Sequence, residues 1–176
     1  HRINANVAYP WDQGSKALSA DELKRREAWQ SRFMPSGAMV AGRVDRLHWM
    51  TFGTPETLPL LYGEQPPLMT KGRQQAVVRV GALQIDNDAT EAKTLNWSTS
   101  PRGTAVTVRM SGLLWPEAAA RIANSAYVTR ERVGKGQVIL FSGQPNFRGS
   151  TRGVGRVWLN ALVYGPGLGT SARVAL

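Results

Sequence analysis

The sequence predicts one α/β layered domain whose sheet is partly antiparallel. Three observations predict it. Short segments rich in branched apolar residues interleave with two or three helical patterns, the order of a layered α/β domain. Gly134-Lys135-Gly136 joins two of those segments as a tight hairpin, which makes part of the sheet antiparallel. The 176 residues, 42% hydrophobic and 19% charged, suffice for a single domain with a sizeable core.

Residues 1–18 are polar and aperiodic and are read as an extended arm. They contain neither an initiator Met nor the apolar core of a signal peptide, so a chain beginning at His1 is expected to be cut from something longer. The domain proper is expected over 19–166, with a loose tail over 167–176. Ser19 followed three residues later by Glu22 is a capping box, and a helix from Ala20 to Phe33 follows, stopped before Pro35. Its apolar positions Leu23, Trp29 and Phe33 make one narrow stripe. Ala38–Val44 reads as a strand, Leu47–Gly53 as a loop with an apolar plug, and Leu58–Tyr62 as a short buried strand. Gln75–Val80 is a further strand. Residues 81–103 are loop-rich, with a turn at Asp86-Asn87-Asp88 and Trp97 as an anchor. Thr104–Met110 alternates as one half-buried strand. Pro116 opens a helix that runs to about Asn124. Tyr127–Val133 and Gln137–Ser142 are the strands of the hairpin. A last helix runs from Thr151 to Tyr164, with Val154, Val157, Trp158, Ala161 and Leu162 on its core stripe and Gly165-Pro166 as its stop.

No run of apolar residues is long enough to span a bilayer. The chain has no cysteine, which excludes disulfides, thiolate metal sites and cysteine nucleophiles within it. The net charge is +10, unevenly spread. Residues 1–100 carry 12 basic and 10 acidic side chains, residues 101–176 carry 10 and 2, so the second segment supplies +8. One reading is an anion-binding face for a polyanion; the other is a solvated surface of scattered arginines. The only basic run, Lys24-Arg25-Arg26, lies beside Glu22 and Glu27, which offset its field, and nucleic acid is not the expected partner.

The chemistry the residues allow is narrow. Histidine occurs only as His1 and His48, without the spacing of a zinc hydrolase, and no Gly-x-Ser-x-Gly elbow offers His48 a nucleophile. Its neighbours Leu47 and Trp49 favour a packing role. Lys135 is followed by Gly136 rather than a hydroxyl residue, so the hairpin is not a phosphate loop. The stretch after the hairpin carries the candidate site. A strand ending at Phe141-Ser142 delivers Asn146, Phe147 and Arg148 to its carboxyl end, next to a helix N-terminus, where Asn146, Arg148 and Arg152 could hold a carboxylate or phosphate. In the structural alternative Phe147 plugs the core and Arg148 caps carbonyls or pairs with an acid. The six tryptophans could line a sugar site, but spacing does not group them. No catalytic and no metal-binding residue is assigned.

Two sets of segments carry a family resemblance. Pro35-Ser36-Gly37-Ala38-Met39-Val40 and Val44–Gly53 resemble the "PGS-hydrophobic … VD-x-x-HPL-x-YG" region in the C-terminal part of bacterial carboxypeptidase A-like zinc metallopeptidases. Ser111–Trp115, Gly134–Phe141 and Pro145-Asn146-Phe147-Arg148-Gly149 resemble the same proteins' "SGW … GKGRVILF … DPNFRG" stretch, and Leu159-Asn160-Ala161-Leu162 their "LFLNA" helix. Trp49 and Gln144 depart from the Pro and Asp common there, the second removing a negative charge beside Arg148. The resemblance implies a three-layer flavodoxin-like, class I glutamine amidotransferase-like domain, catalytically degenerate, in a periplasmic or secreted protein. It implies a non-catalytic accessory domain that packs on, or presents substrate to, a peptidase domain of the same polypeptide outside this chain. Zinc is expected only in that peptidase domain. A stand-alone module for polyanions or carbohydrate and an unrecognised hydrolase are the other readings of the residues.

Overall fold

A computed structural model describes residues 19–70, 72–85, 94–95, 98–99 and 101–168. The expected arm, the Asp86–Asp88 turn, Trp97 and all but the start of the expected tail lie outside these. The elements run α1 (Ala20–Gln30), a 3-10 turn (Ser31–Phe33), β1 (Ala38–Val44), a 3-10 turn (Trp49–Thr51), β2 (Thr57–Tyr62), β3 (Gln75–Val80), β4 (Ala82–Ile85), β5 (Thr94–Leu95), β6 (Ser98–Thr99), β7 (Thr104–Thr107), β8 (Arg109–Ser111), α2 (Pro116–Ile122), β9 (Ala126–Val133), β10 (Gly136–Phe141), a 3-10 turn (Phe147–Gly149) and α3 (Arg152–Leu168). The main sheet has the order β10-β9-β3-β1-β2, with β8 also paired to β1.

The fold is mixed α/β, as expected, but antiparallel pairing is not confined to one edge. β1–β2, β1–β3, β1–β8, β3–β9 and β9–β10 are all antiparallel. A parallel ladder, as in a flavodoxin-like sheet, needs a crossover between neighbouring strands. Here two adjacent pairs, β1–β2 and β9–β10, are made by strands consecutive in the chain, and the helical segments do not return it parallel to its neighbour. The β9–β10 hairpin turns on Gly134-Lys135, with Gly134 at a φ of 59°, a left-handed conformation that glycine adopts without Cβ strain. β2 contains Pro59, which has no N–H to donate, and β2 is an edge strand, where that omission is tolerated.

Three further expectations change. The loop-rich segment after Val80 contains β4, which pairs with β7, and the two-residue ladder β5–β6. The single strand expected over 104–110 divides at Val108, whose carbonyl accepts the Ala41 N–H at 2.7 Å, so that β7 serves the small sheet and β8 the main one. The last helix does not stop at Gly165-Pro166 but continues to Leu168. Its core stripe also turns: Leu162 is exposed, and the polar Asn160 is buried in its place.

The core joins Val40, Leu58, Leu60 and Tyr62 of β1 and β2 to Val77, Val78 and Val80 of β3, Ile122 of α2, Tyr127 and Val128 of β9, and Val154 and Val157 of α3. α1 attaches at the rim. Its capping box is formed, the Glu22 N–H donating to Ser19 Oγ at 3.3 Å and the Ser19 N–H to Glu22 Oε2 at 2.7 Å. Those backbone and side-chain hydrogen bonds hold the Glu22 carboxyl below its ordinary pKa, with Arg25 adding to the effect. Trp29 packs on Phe33 at 4.7 Å between ring centroids, and Phe33 on Trp115 at 6.1 Å. Glu27 pairs with Arg121, so it serves the attachment of α1 as well as the Lys24–Arg26 run.

One polar junction lies inside the sheet. Arg43 donates to Gly81 O at 3.0 Å and to Asn124 Oδ1 at 2.5 Å, and Arg79 donates to Asn124 O at 3.0 Å. Burial lowers the pKa of both guanidiniums, and for Arg43 the neighbouring Arg79 charge adds to it. Asn124 is buried at a φ of 61°, a conformation asparagine tolerates better than most residues. Asn124→Ala therefore loses an acceptor for a buried cation and strains the backbone, and a loss of roughly 3 kcal/mol is expected in urea denaturation. Asn124→Asp is expected to retain stability at neutral pH. The two cations depress the folded pKa of the introduced carboxyl, so its contribution is full above the unfolded value of about 3.9 and falls away below it.

Candidate functional site

The carboxyl end of β10 opens on a cleft of about 770 Å³. Phe141, Ser142, Gly143 and Gln144 form one wall, Ser36 and Gly37 before β1 and Leu61 and Gly63 at the end of β2 form the opposite wall, and Gln65 and Phe147 close it. Gly143 leaves the room that exists there: a Cβ on it would lie 2.7 Å from the Tyr127 hydroxyl and 3.4 Å from Gln65 Nε2. Beneath lie two aromatic rings, Tyr62 and Tyr127, 6.3 Å apart. The Tyr127 hydroxyl donates to Leu61 O at 3.3 Å, whereas the buried Tyr62 hydroxyl has no hydrogen-bond partner among the described residues. Burial pushes Tyr127 up to about 12, with Tyr62 contributing, and burial also raises Tyr62.

Asn146, Arg148 and Arg152 lie on the rim of this end of the molecule, all exposed. Asn146 precedes the Phe147–Gly149 turn without a side-chain capping bond. Arg148 has a φ of 48° and lays its guanidinium 5.2 Å from the centroid of its own Phe147 ring. Phe147 is 40% exposed and lines the cleft, so it does not plug the core. Arg152 opens α3. The three side chains share a loop-to-helix junction, and no hydrogen bond or ion pair links them. What sequence reasoning missed is the cleft beside them. Gln65, Gly143 and Tyr127 come from distant segments, brought together by the β9–β10 pairing, the Leu68–Ala126 bridge and the Ser142 hydroxyl donating to Pro66 O at 3.1 Å.

Two of the segments behind the family resemblance, Val44–Gly53 and Leu159–Leu162, meet elsewhere. Asn160 Nδ2 donates to Met50 O and to Phe52 O, each at 2.9 Å, tying α3 to the Val44–Gly53 loop. Within that loop the Met50 N–H donates to His48 Nδ1 at 3.2 Å, and the Thr51 hydroxyl lies 2.6 Å from Asp45 O and 2.7 Å from His48 O. His48 therefore caps the Trp49–Thr51 turn, the packing role its neighbours suggested. Among the described residues no three His, Asp or Glu side chains converge. No described helix is long and apolar enough to cross a membrane.

No family model matches the chain, and neither a characterised protein nor a solved structure matches it.

Two outcomes follow from this geometry. Asn160→Ala leaves the buried Met50 carbonyl without its side-chain donor and the Phe52 carbonyl with Arg156 Nε at 3.5 Å, and a loss of roughly 2 kcal/mol is expected by urea denaturation, with Asn160→Leu no better despite its apolar bulk. In an absorbance titration, Tyr62 and Tyr127 are expected to ionise later than an unfolded phenol of pKa about 10. Because their folded values are raised, their contribution to stability is full below the unfolded value of about 10 and is lost as pH rises above it, for Tyr127 toward about 12. The Tyr62→Phe, Tyr127→Phe double variant removes the late phase.

Proposed function

We propose that this chain is a non-catalytic accessory domain of a bacterial zinc carboxypeptidase-like protein, which packs on or presents substrate to a peptidase domain outside it. The observation that carries the reading is the Asn160 tie. Two of the segments that resemble the metallopeptidase C-terminal region, Val44–Gly53 and Leu159–Leu162, meet around it, and their polar side chains hold backbone groups: Asn160 on Met50 and Phe52, His48 on Met50, Thr51 on Asp45 and His48. Motifs used this way specify a fold and need no reacting group.

The finer part of the proposal is descent from a catalytically degenerate, three-layer amidotransferase-like domain. The sequence segments support it, while the antiparallel pairing of β1, β3 and β9 departs from the parallel ladders such a domain would carry. A periplasmic or secreted location belongs to the same proposal and rests on the resemblance alone. Arg148, exposed beside the cleft, is the residue through which a substrate carboxylate would be met. The +8 charge of residues 101–176 favours a second reading, a stand-alone polyanion-binding module.

Reading the gene upstream of the His1 codon and assaying the two parts tests the proposal. A peptidase domain with a His-x-x-Glu motif is expected there, binding zinc and hydrolysing C-terminal residues. This chain alone, incubated with zinc chloride and a blocked dipeptide, is expected to do neither. Stoichiometric zinc binding with hydrolysis by this chain would overturn the accessory role. Heparin retention that falls steeply with salt, and that Arg148→Ala and Arg152→Ala weaken, would favour the second reading instead.

A further inference from the structure

The main sheet has two ends, and only one is guarded. β2 forms the first. Its Pro59 faces Ala41, whose N–H donates to Val108 O and whose carbonyl accepts from the Gly81 N–H, both away from β2. Ala41 and Pro59 are therefore a non-hydrogen-bonded pair, and the ring nitrogen of Pro59 is turned to the free side of β2. A ring without a donor at that place blocks a further strand.

β10 forms the other end. Its sequence, Gly-Gln-Val-Ile-Leu-Phe, has no proline and no charge, and its register against β9 has no bulge. The two-residue turn makes Val133 and Gly136 a hydrogen-bonded pair, so Val138 and Leu140 also bond to β9. The Ser142 N–H keeps the alternation, donating to Tyr127 O at 2.8 Å. Gln137, Ile139 and Phe141 thus direct their N–H and C=O groups to the free side, where no described strand lies. Apolar side chains flank that side on both faces. Val138 and Leu140 are exposed on one. On the other, α3 brings the exposed Leu162 toward the edge. Leu162 stands one turn before Gly165, on which a Cβ would lie 3.3 Å from Gln137 Nε2, and two turns after Gly155, which faces Pro145 O.

We propose that β10 is a dimerisation edge, on which a second copy of this chain lays its own β10 antiparallel across a two-fold axis at Ile139. The strand is self-complementary in that register. Gln137 of one copy faces Phe141 of the other, Ile139 faces Ile139, and each facing pair closes two main-chain hydrogen bonds. Val138 faces Leu140, and no charge on β10 meets another. The same edge serves both copies, and Pro59 guards the ends left over. The sheet therefore extends once and closes as a dimer instead of growing as a filament. The six residues of β10 span roughly 20 Å, and with a side-chain layer on each face the contact is about 400 Å² per copy. That is well under the standard size, so the dimer dissociates on dilution. The inference does not rest on the accessory-domain reading.

Sedimentation velocity over a concentration series reads the mass, and amide exchange by NMR reads the edge. A reversible monomer–dimer equilibrium is expected. The amides of Gln137, Ile139 and Phe141 slow as concentration rises, while those on the free side of β2 do not. Each copy carries +10, so sodium chloride, by screening the repulsion, is expected to strengthen association. Leu140→Lys, at an exposed position, places a guarding charge on the edge and is expected to weaken association about tenfold. Leu23→Lys makes the same exchange on the exposed side of α1 and is expected to leave association unchanged. If the Leu140 variant does not fold, the mass and exchange of the unaltered chain still decide. A monomer at every concentration, edge amides protected in the monomer, species larger than dimers, association that salt weakens, or equal weakening by the two variants would overturn the proposal.

Discussion

The position of α3 depends on one side chain, Asn160. Its carboxamide satisfies two carbonyls of the Val44–Gly53 loop at mid-helix, while Val154 and Val157 pack into the core. A buried amide can donate in this way only if the helix keeps one rotation and one height, because an unpaired buried carbonyl costs as much as several methylenes recover. Rotation of the helix by one residue would bring Leu159 or Ala161 to the loop, and neither has a donor. The helix runs from just beyond Phe147, which lines the cleft at the end of β10, to Leu168, which lines a second cleft at His48. Its 17 residues span roughly 25 Å, so fixing its middle fixes a wall or an approach to both clefts.

Much of the fold was legible because local rules and tertiary packing agree. The strand over Ala38–Val44, the short strand at Leu58–Tyr62, the Ser19–Glu22 capping box and the Gly134-Lys135 turn are short-range features that the structure keeps. Errors arose where a long-range partner decides. Val108 looks like the middle of one strand, and only its bond with Ala41 shows that two sheets share the segment. Asn160 looks like a solvent-facing break in an apolar stripe until the Met50 and Phe52 carbonyls are placed against it. Strand direction was the largest such case, since the order of strands and helices along the chain does not fix which strands become neighbours.

Charge was legible in amount and not in use. Of the arginines in residues 101–176, Arg121 is committed to Glu27, and Arg130 to Gln75 and Gln137. Arg43 and Arg79, from the charge-balanced first segment, are instead half-buried on the polar atoms of Asn124. A net charge of +10 is therefore not one electrostatic face but several local arrangements. Those among carbonyls serve the fold, because a neutral acceptor accommodates a guanidinium without adding a counter-charge.

The same reasoning separates a structural histidine from an inert one. His48 was read from sequence as a packing residue, and its bond from Met50 bears that out. Yet an imidazole that accepts at Nδ1 must, when neutral, carry its proton at Nε2. The capping bond thus selects one tautomer and leaves the Nε2–H for the Gln75 side chain, whose hydrogen bond favours the charged ring against burial. The two nitrogens of such a ring are not independent, because the bond accepted at one sets the proton the other can donate.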